Sequence, residues 1–142
     1  MLLGEHEHSL DEKNRLTLPS KLRGAFEEGV VVTRGYEGCL RAYPRAGWDK
    51  AAEAMAQLNP LREDTRLAHR WFFGSAAPGE LDRQGRMVIP GPLLQAAGIT
   101  REVTITGMGD HVEIWDRAKW AEQLHEVEGS AEDVAERLAN RD

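Results

Sequence analysis

Short apolar or β-branched triplets alternate with polar turns along this chain, and the pattern occurs twice. Leu16-Thr17-Leu18 and Met87-Val88-Ile89 read as strands that stop at Pro19 and Pro90. Residues 20–26 and 91–97 follow as short helices opened at those prolines, the second closed by Gly98. Residues 30–33 and 103–106 read as the next strands. Residues 39–43 and 112–115 return from them through glycine-bearing hairpin turns at 35–38 and 107–110. A helix then starts near Arg45 and again near Asp116. Between the two stretches, residues 46–58 carry Trp48, Ala51, Ala52, Met55 and Leu58 at helical spacing. Asn59-Pro60 interrupts this helix, residues 61–73 resume it, and residues 74–79 read as a linker. Residues 131–139, with Val134 and Leu138, read as a short amphipathic helix, frayed or docked on a partner subunit.

The repetition is one of residues as well as of pattern. Residues 10–22 and 81–93 align at an offset of 71, sharing Leu, Asp, Arg, Pro and a final Leu. At an offset of 72, Val31 matches Val103, Gly35 matches Gly107, and Arg45-Ala46-x-Trp48 matches Arg117-Ala118-x-Trp120. A unit of about 45 residues is too small to bury a good core alone, so the two units are expected to pack on each other.

Composition narrows the function. With 142 residues, 41% of them apolar and 30% charged, the chain can bury a core and is not a disordered polymer. Apolar runs such as Val30-Val31-Val32 are too short to span a bilayer, and the first residues lack the pattern of a secretory signal. The one cysteine, Cys39, excludes an internal disulfide, and a cytoplasmic chain is expected. The formal charge of −6 argues at first against nucleic acid. However, residues 121–142 hold seven acids and two bases, a net of −5, which leaves −1 for residues 1–120. A local basic patch on the body is therefore compatible with the total.

The chemistry is concentrated in the repeated Leu-Asp-x-x-(Asn/Gly)-Arg. Asn14 and Gly85 occupy equivalent places, and these two residue types best tolerate left-handed backbone. The motif is thus expected to be a tight turn, with Asp11 or Asp82 accepting local amides and Arg15 or Arg86 delivered at the entry of a strand. Each Arg can simply pair with its Asp to stiffen the turn. Displayed twice with pseudo-twofold symmetry, the pair can also serve a shared surface. Lys13, Lys21 and Arg23 are expected around the first turn, and Arg83 with Arg86 at the second. Such turns can flank a groove, Arg pairing with guanine edges and Lys with phosphates.

This repeated unit resembles the swapped-hairpin DNA-binding module of the AbrB/SpoVT type. Two copies in one chain, with a helical insert ending in Trp71-Phe72-Phe73 and a Val112-Glu-Ile-Trp115 strand, resemble the MraZ family over residues 1–120. The resemblance implies a β-rich α+β fold in which two pseudo-symmetric AbrB-like units form one core, with short peripheral helices. The expected divisions are 5–48, 49–76 (helical insert), 77–120 and 121–142 (acidic tail). It also implies a sequence-specific DNA-binding transcriptional regulator in the cytoplasm and nucleoid. Such a regulator acts on G-rich direct repeats in the promoter of the cell-division and cell-wall gene cluster that includes its own gene. The implied partners are double-stranded DNA and further copies of the chain in a ring, with no membrane, small-molecule substrate, cofactor or metal. The DNA-contacting loop of the family maps onto Asp11, Lys13, Arg15, Asp82 and Arg86. Asn14 stands where the family has Gly, and Gln84 stands where the first motif has Lys13, so the halves are expected to contribute unequally.

Other constellations are weaker. His6 and His8 fall on one side of a strand and supply only two ligands, and Cys39, His69, His111 and His125 show no metal spacing. Gly107-Met-Gly109 lacks the rest of a dinucleotide loop, and no nucleophile elbow or phosphate loop appears. Trp48 and Trp120 hold equivalent helical places and are expected to pack rather than to stack on bases. Two alternatives stand beside the regulator: an antitoxin-type interaction module, and a small metal-dependent hydrolase using His6, His8 and an acid.

Overall fold

The computed structural model describes residues 1–140. In chain order the elements are β1 (Glu5–Ser9), β2 (Arg15–Thr17), α1 (Ser20–Arg23), β3 (Val30–Arg34), β4 (Leu40–Pro44), α2 (Arg45–Ala56), α3 (Glu63–Phe72), β5 (Ala77–Gly79), β6 (Arg86–Val88), α4 (Gly91–Ala96), β7 (Glu102–Gly107), β8 (Val112–Asp116) and α5 (Arg117–Ala139). A 3-10 turn at Gly24–Phe26 extends α1, and another at Tyr36–Gly38 joins β3 to β4.

Six strands form one antiparallel sheet in the order β1-β7-β8-β4-β3-β5, and β2 with β6 forms a separate two-stranded ribbon. The order is the same read from either end once the units are exchanged. The first strand of unit one, β1, pairs with β7 of unit two (Glu5 opposite Thr106, Ser9 opposite Glu102). The first strand of unit two, β5, pairs reciprocally with β3 of unit one (Val30 opposite Gly79). β4 meets β8 at the centre, and β2 meets β6 in the ribbon. Each unit therefore completes the other's sheet, as the swapped-hairpin resemblance implies.

Alternation of side chains explains why the sheet buries both faces. On one face Val30, Val32, Leu40, Ala42, Val103, Ile105, Val112 and Ile114 join Leu16, Leu18, Met87 and Ile89 of the ribbon layer in the core. Leu16 and Met87 oppose each other and are sealed from solvent. On the other face Thr33, Arg41, Tyr43, Thr104, Thr106 and Trp115 are buried. There the Thr33 hydroxyl donates to the Phe72 carbonyl at 2.8 Å, tying β3 to α3. Buried Arg41 donates to the Arg34 carbonyl and to the Tyr43 hydroxyl, with its guanidinium against the Tyr36 ring. Cys39 is buried one residue before β4, and burial, helped by Glu113, pushes its thiol up to about 12, so it stays a thiol.

The helix ends follow local chemistry. Pro90 and Pro92 open α4, and Gly98, at φ 64°, closes it: Gly98 N–H bonds Gln95 and Ile99 N–H bonds Leu94. Asp116 caps α5 by accepting from the Lys119 amide.

Two sequence expectations are corrected. The linker at 74–79 ends in a strand, β5, whose Pro78 is tolerated because β5 lies at the sheet edge. The tail is no separate short helix, because α5 runs through Gly129 for 23 residues. Arg141 and Asp142 of that tail lie outside the described residues. Among the described residues, no helix is long and apolar enough to cross a membrane.

Candidate nucleic-acid interface

The two motif turns are built alike. Asp11 Oδ1 accepts from the amides of Lys13 and Arg15, both at 2.9 Å, and Asp11 Oδ2 accepts from Arg15 Nε at 2.6 Å. Asp82 repeats the set with the Gln84 and Arg86 amides and with Arg86 Nε at 2.7 Å. Each turn is closed by backbone bonds, Asn14 to Asp11 and Gly85 to Asp82, and both pivot residues have positive φ, 59° and 76°. Partial burial works against the Asp11 charge. The Arg15 amide, its guanidinium and the Lys13 amide outweigh that and hold the carboxyl at about 2. The Arg86 amide, against a smaller desolvation effect, lowers Asp82 in the same sense.

The ribbon then sets the direction of the arginines. Arg15 opposes Val88, and Arg86 opposes Thr17. Since Leu16 and Met87 point into the core, Arg15, Thr17, Arg86 and Val88 lie on the outward face. The two arginines sit on a diagonal of that face, about 7–8 Å apart at the backbone. Their side chains are 29% and 26% exposed, so each is half-sheltered by its own turn but not packed inside. The ion pair uses Nε, which leaves Nη1 and Nη2 for an outside acceptor.

Two of the remaining cations, Lys21 and Arg23, are not where the sequence suggests. Because β2 and β6 are antiparallel, α1 leaves β2 beside the second turn, where Leu18 N–H bonds the Gly85 carbonyl. Arg23 therefore lies across the second turn, not the first, and its Nε donates to the Leu18 carbonyl at 2.7 Å. Gly85 suits this place on two counts, its positive φ and the Arg23 side chain that a Cβ there would run into, whereas Asn14 at the other turn is exposed. Exposed Lys21 is carried by the same helix. One end of the ribbon thus holds Lys13 and Arg15, and the other holds Lys21, Arg23, Arg83 and Arg86. Sequence reasoning also passed over Val88, which is 64% exposed on the arginine face. Strict alternation from buried Met87 was the signal that could have found it.

The other candidates are dispersed. His6 and His8 share one side of β1, opposite Ile105 and Val103. Among the described residues no three His, Cys, Asp or Glu side chains gather as a metal site would require. Trp48 stacks on Phe72, Trp120 packs on Trp115, and Trp71 stacks on Tyr36.

The chain that carries this duplicated arginine turn is similar to known proteins over nearly its full length. The family model for the MraZ protein, whose description adds "antitoxin-like", matches this chain twice, at residues 1–71 and 72–142. The chain belongs to the MraZ family. It is 41% identical over 138 residues to the "Transcriptional regulator MraZ" of Pediococcus pentosaceus, spanning 97% of this chain and 96% of that protein. A protein of the same name from Heliobacterium modesticaldum is 39% identical over 142 residues, covering 100% and 99% of the two chains. One from Syntrophomonas wolfei is 42% identical over 140 residues, covering 99% and 98%. These MraZ relatives carry the name of a regulator, not of an enzyme.

Proposed function

We propose that the outward face of the β2–β6 ribbon reads double-stranded DNA and that the protein is a transcriptional regulator, not an enzyme. The observation that carries this reading is the placement of Arg15 and Arg86 on one exposed diagonal, each aimed by its own aspartate with its Nη atoms unspent. A major groove about 12 Å wide admits a two-stranded ribbon, and an arginine fork suits guanine O6 and N7. Asp11, Asn14, Asp82 and Gly85 hold the turns. Lys13, Lys21, Arg23 and Arg83 take phosphates, which position the ribbon without reading sequence. The names of the relatives support the same class of function.

The finer reading is that the targets are closely spaced, G-rich direct repeats in the promoter of the cell-division and cell-wall gene cluster, the protein's own gene included. Copies of the chain assemble as a ring in the cytoplasm and nucleoid, so that several ribbons engage successive repeats. The acidic helix α5 leaves from the sheet face opposite the ribbon, since it packs through Trp120 on Trp115, and Trp115 alternates with core-facing Ile114. Its charge is thereby kept away from DNA.

The test is a titration on the gene's own upstream DNA at several salt concentrations. Arg15→Ala and Arg86→Ala each cost about 1–3 kcal/mol of discrimination for guanine. Lys21→Ala weakens all sequences alike and flattens the salt slope by about one. Unchanged base preference in both arginine variants removes them from the reading role.

A further inference from the structure

The outward face of the ribbon holds four side chains, and three of them have an evident place. Arg15 and Arg86 are fastened by their own aspartates, and Thr17 is half-buried. Val88 is 64% exposed, a branched apolar group standing on a cationic face. Its chain neighbours Met87 and Ile89 are sealed in the core and hold the strand down without it. Strand formation alone does not ask for valine here. Threonine serves as well, and it stands at the equivalent place 71 residues earlier, Thr17.

The strand register gives each arginine a branched neighbour. Val88 lies directly across from Arg15, and Thr17 directly across from Arg86. Cβ atoms so related are about 4.5–5.5 Å apart. An arginine fork on guanine O6 and N7 occupies one base pair in the major groove. Base pairs stack about 3.4 Å apart, so a side chain rooted beside that arginine meets the edge of an adjoining pair. Every group on such an edge is a hydrogen-bond donor or acceptor except the substituent on pyrimidine C5. The valine side chain has no donor or acceptor. Against N7, O6, O4, N6 or N4 it would only strip water from a polar atom, at a cost. A methyl group on C5 is the one partner it packs on favourably.

We propose that Val88 is a specificity-determining residue that packs on the C5 methyl group of a pyrimidine next to the guanine held by Arg15. The proposal rests on the ribbon reading above and deepens it. The Arg15–Val88 pair then reads two adjoining base pairs, one by hydrogen bonds and one by an apolar contact. The Arg86–Thr17 pair discriminates less at the second position, because a threonine turns either its methyl or its hydroxyl to the base edge. The two halves of the ribbon therefore differ in what they read as well as in how many cations they carry. The methyl group belongs to thymine or to 5-methylcytosine, which are alike at that atom.

A base-analogue scan of the gene's own upstream duplex, with the full chain, tests it. In one arm each thymine in turn is replaced by deoxyuridine, which deletes the C5 methyl and keeps every polar group. In the other arm each cytosine in turn is replaced by 5-methylcytosine, which adds a methyl. The guanine whose preference is lost in Arg15→Ala locates the place to look. A pyrimidine beside it is expected to change affinity by about fourfold, the worth of one buried methyl, and the arm that responds identifies the base. Val88→Ser abolishes that response and leaves the salt slope unchanged, since valine neutralises no phosphate. Val88→Ile retains the response, and Lys21→Ala weakens methylated and unmethylated duplexes alike. A wild-type scan in which no position responds, or a response that survives in Val88→Ser, overturns the proposal. If guanine preference is still lost in Arg15→Ala, the ribbon reading stands without it. Guanine preference unchanged in both Arg15→Ala and Arg86→Ala removes the two together.

Discussion

At the residue scale, the central unit is an aspartate that spends both oxygens on its own turn. Its job is to fix an arginine that would otherwise sample many rotamers, and ordering the fork beforehand lowers the cost of binding. The same bonds make the turn sensitive to acid. Asp11 has an ordinary value of 3.8 and is held at about 2 in the fold. A depressed carboxyl stabilises the folded state fully above its unfolded value, and that contribution disappears as pH falls through the folded one. The stability difference between the wild type and Asp11→Ala should therefore be constant above pH 4 and shrink between about 4 and 2. Nuclear magnetic resonance titration of the Asp11 carboxyl checks this directly, and a midpoint near the ordinary value would contradict the hydrogen-bond set described. Asp82 shifts in the same direction.

At the scale of elements, the ribbon is only three residues per strand, so its seating on the core decides whether the arginines point outward. Leu16 and Met87 are the seat. Replacing either by Ala is expected to cost about 2–5 kcal/mol, measured by chemical denaturation. Affinity for DNA should fall at temperatures where the variant is still folded, because the face is no longer held level. The elements were legible in the sequence wherever chemistry was local. Prolines 19 and 90 and Gly98 marked helix ends, and Asn14 and Gly85 announced a turn. β5 was illegible because Ala77-Pro78-Gly79 has no strand propensity of its own and owes its shape to β3. Arg23 was misplaced for a related reason. Its neighbours in sequence belong to the first turn, whereas antiparallel pairing of β2 with β6 delivers it to the second.

For the whole molecule, duplication supplies a near-twofold frame with unequal ends. Four cations stand near the Gly85 turn and two near the Asn14 turn. If the ribbon binds DNA as proposed, the Gly85 end carries the greater share of phosphate contact. Arg83→Ala combined with Lys21→Ala should flatten the salt dependence of DNA binding by about two, and Lys13→Ala by about one. Joining several such subunits turns weak single contacts into strong multiple ones through effective concentration. Variants that disrupt the proposed ring should weaken binding to DNA with several repeats far more than to one repeat. Filter binding to both lengths measures this, and equal loss on both would separate assembly from recognition.

The reciprocal pairing of β1 with β7 and of β5 with β3 also bears on how a growing polypeptide folds as it leaves the ribosome. Neither half can satisfy its outermost backbone groups until the other exists, and synthesis must pass Gly107 before β1 finds its neighbour. Pulse proteolysis of stalled nascent chains should therefore show protection arriving late and in one step, with little gained when the first 71 residues have emerged.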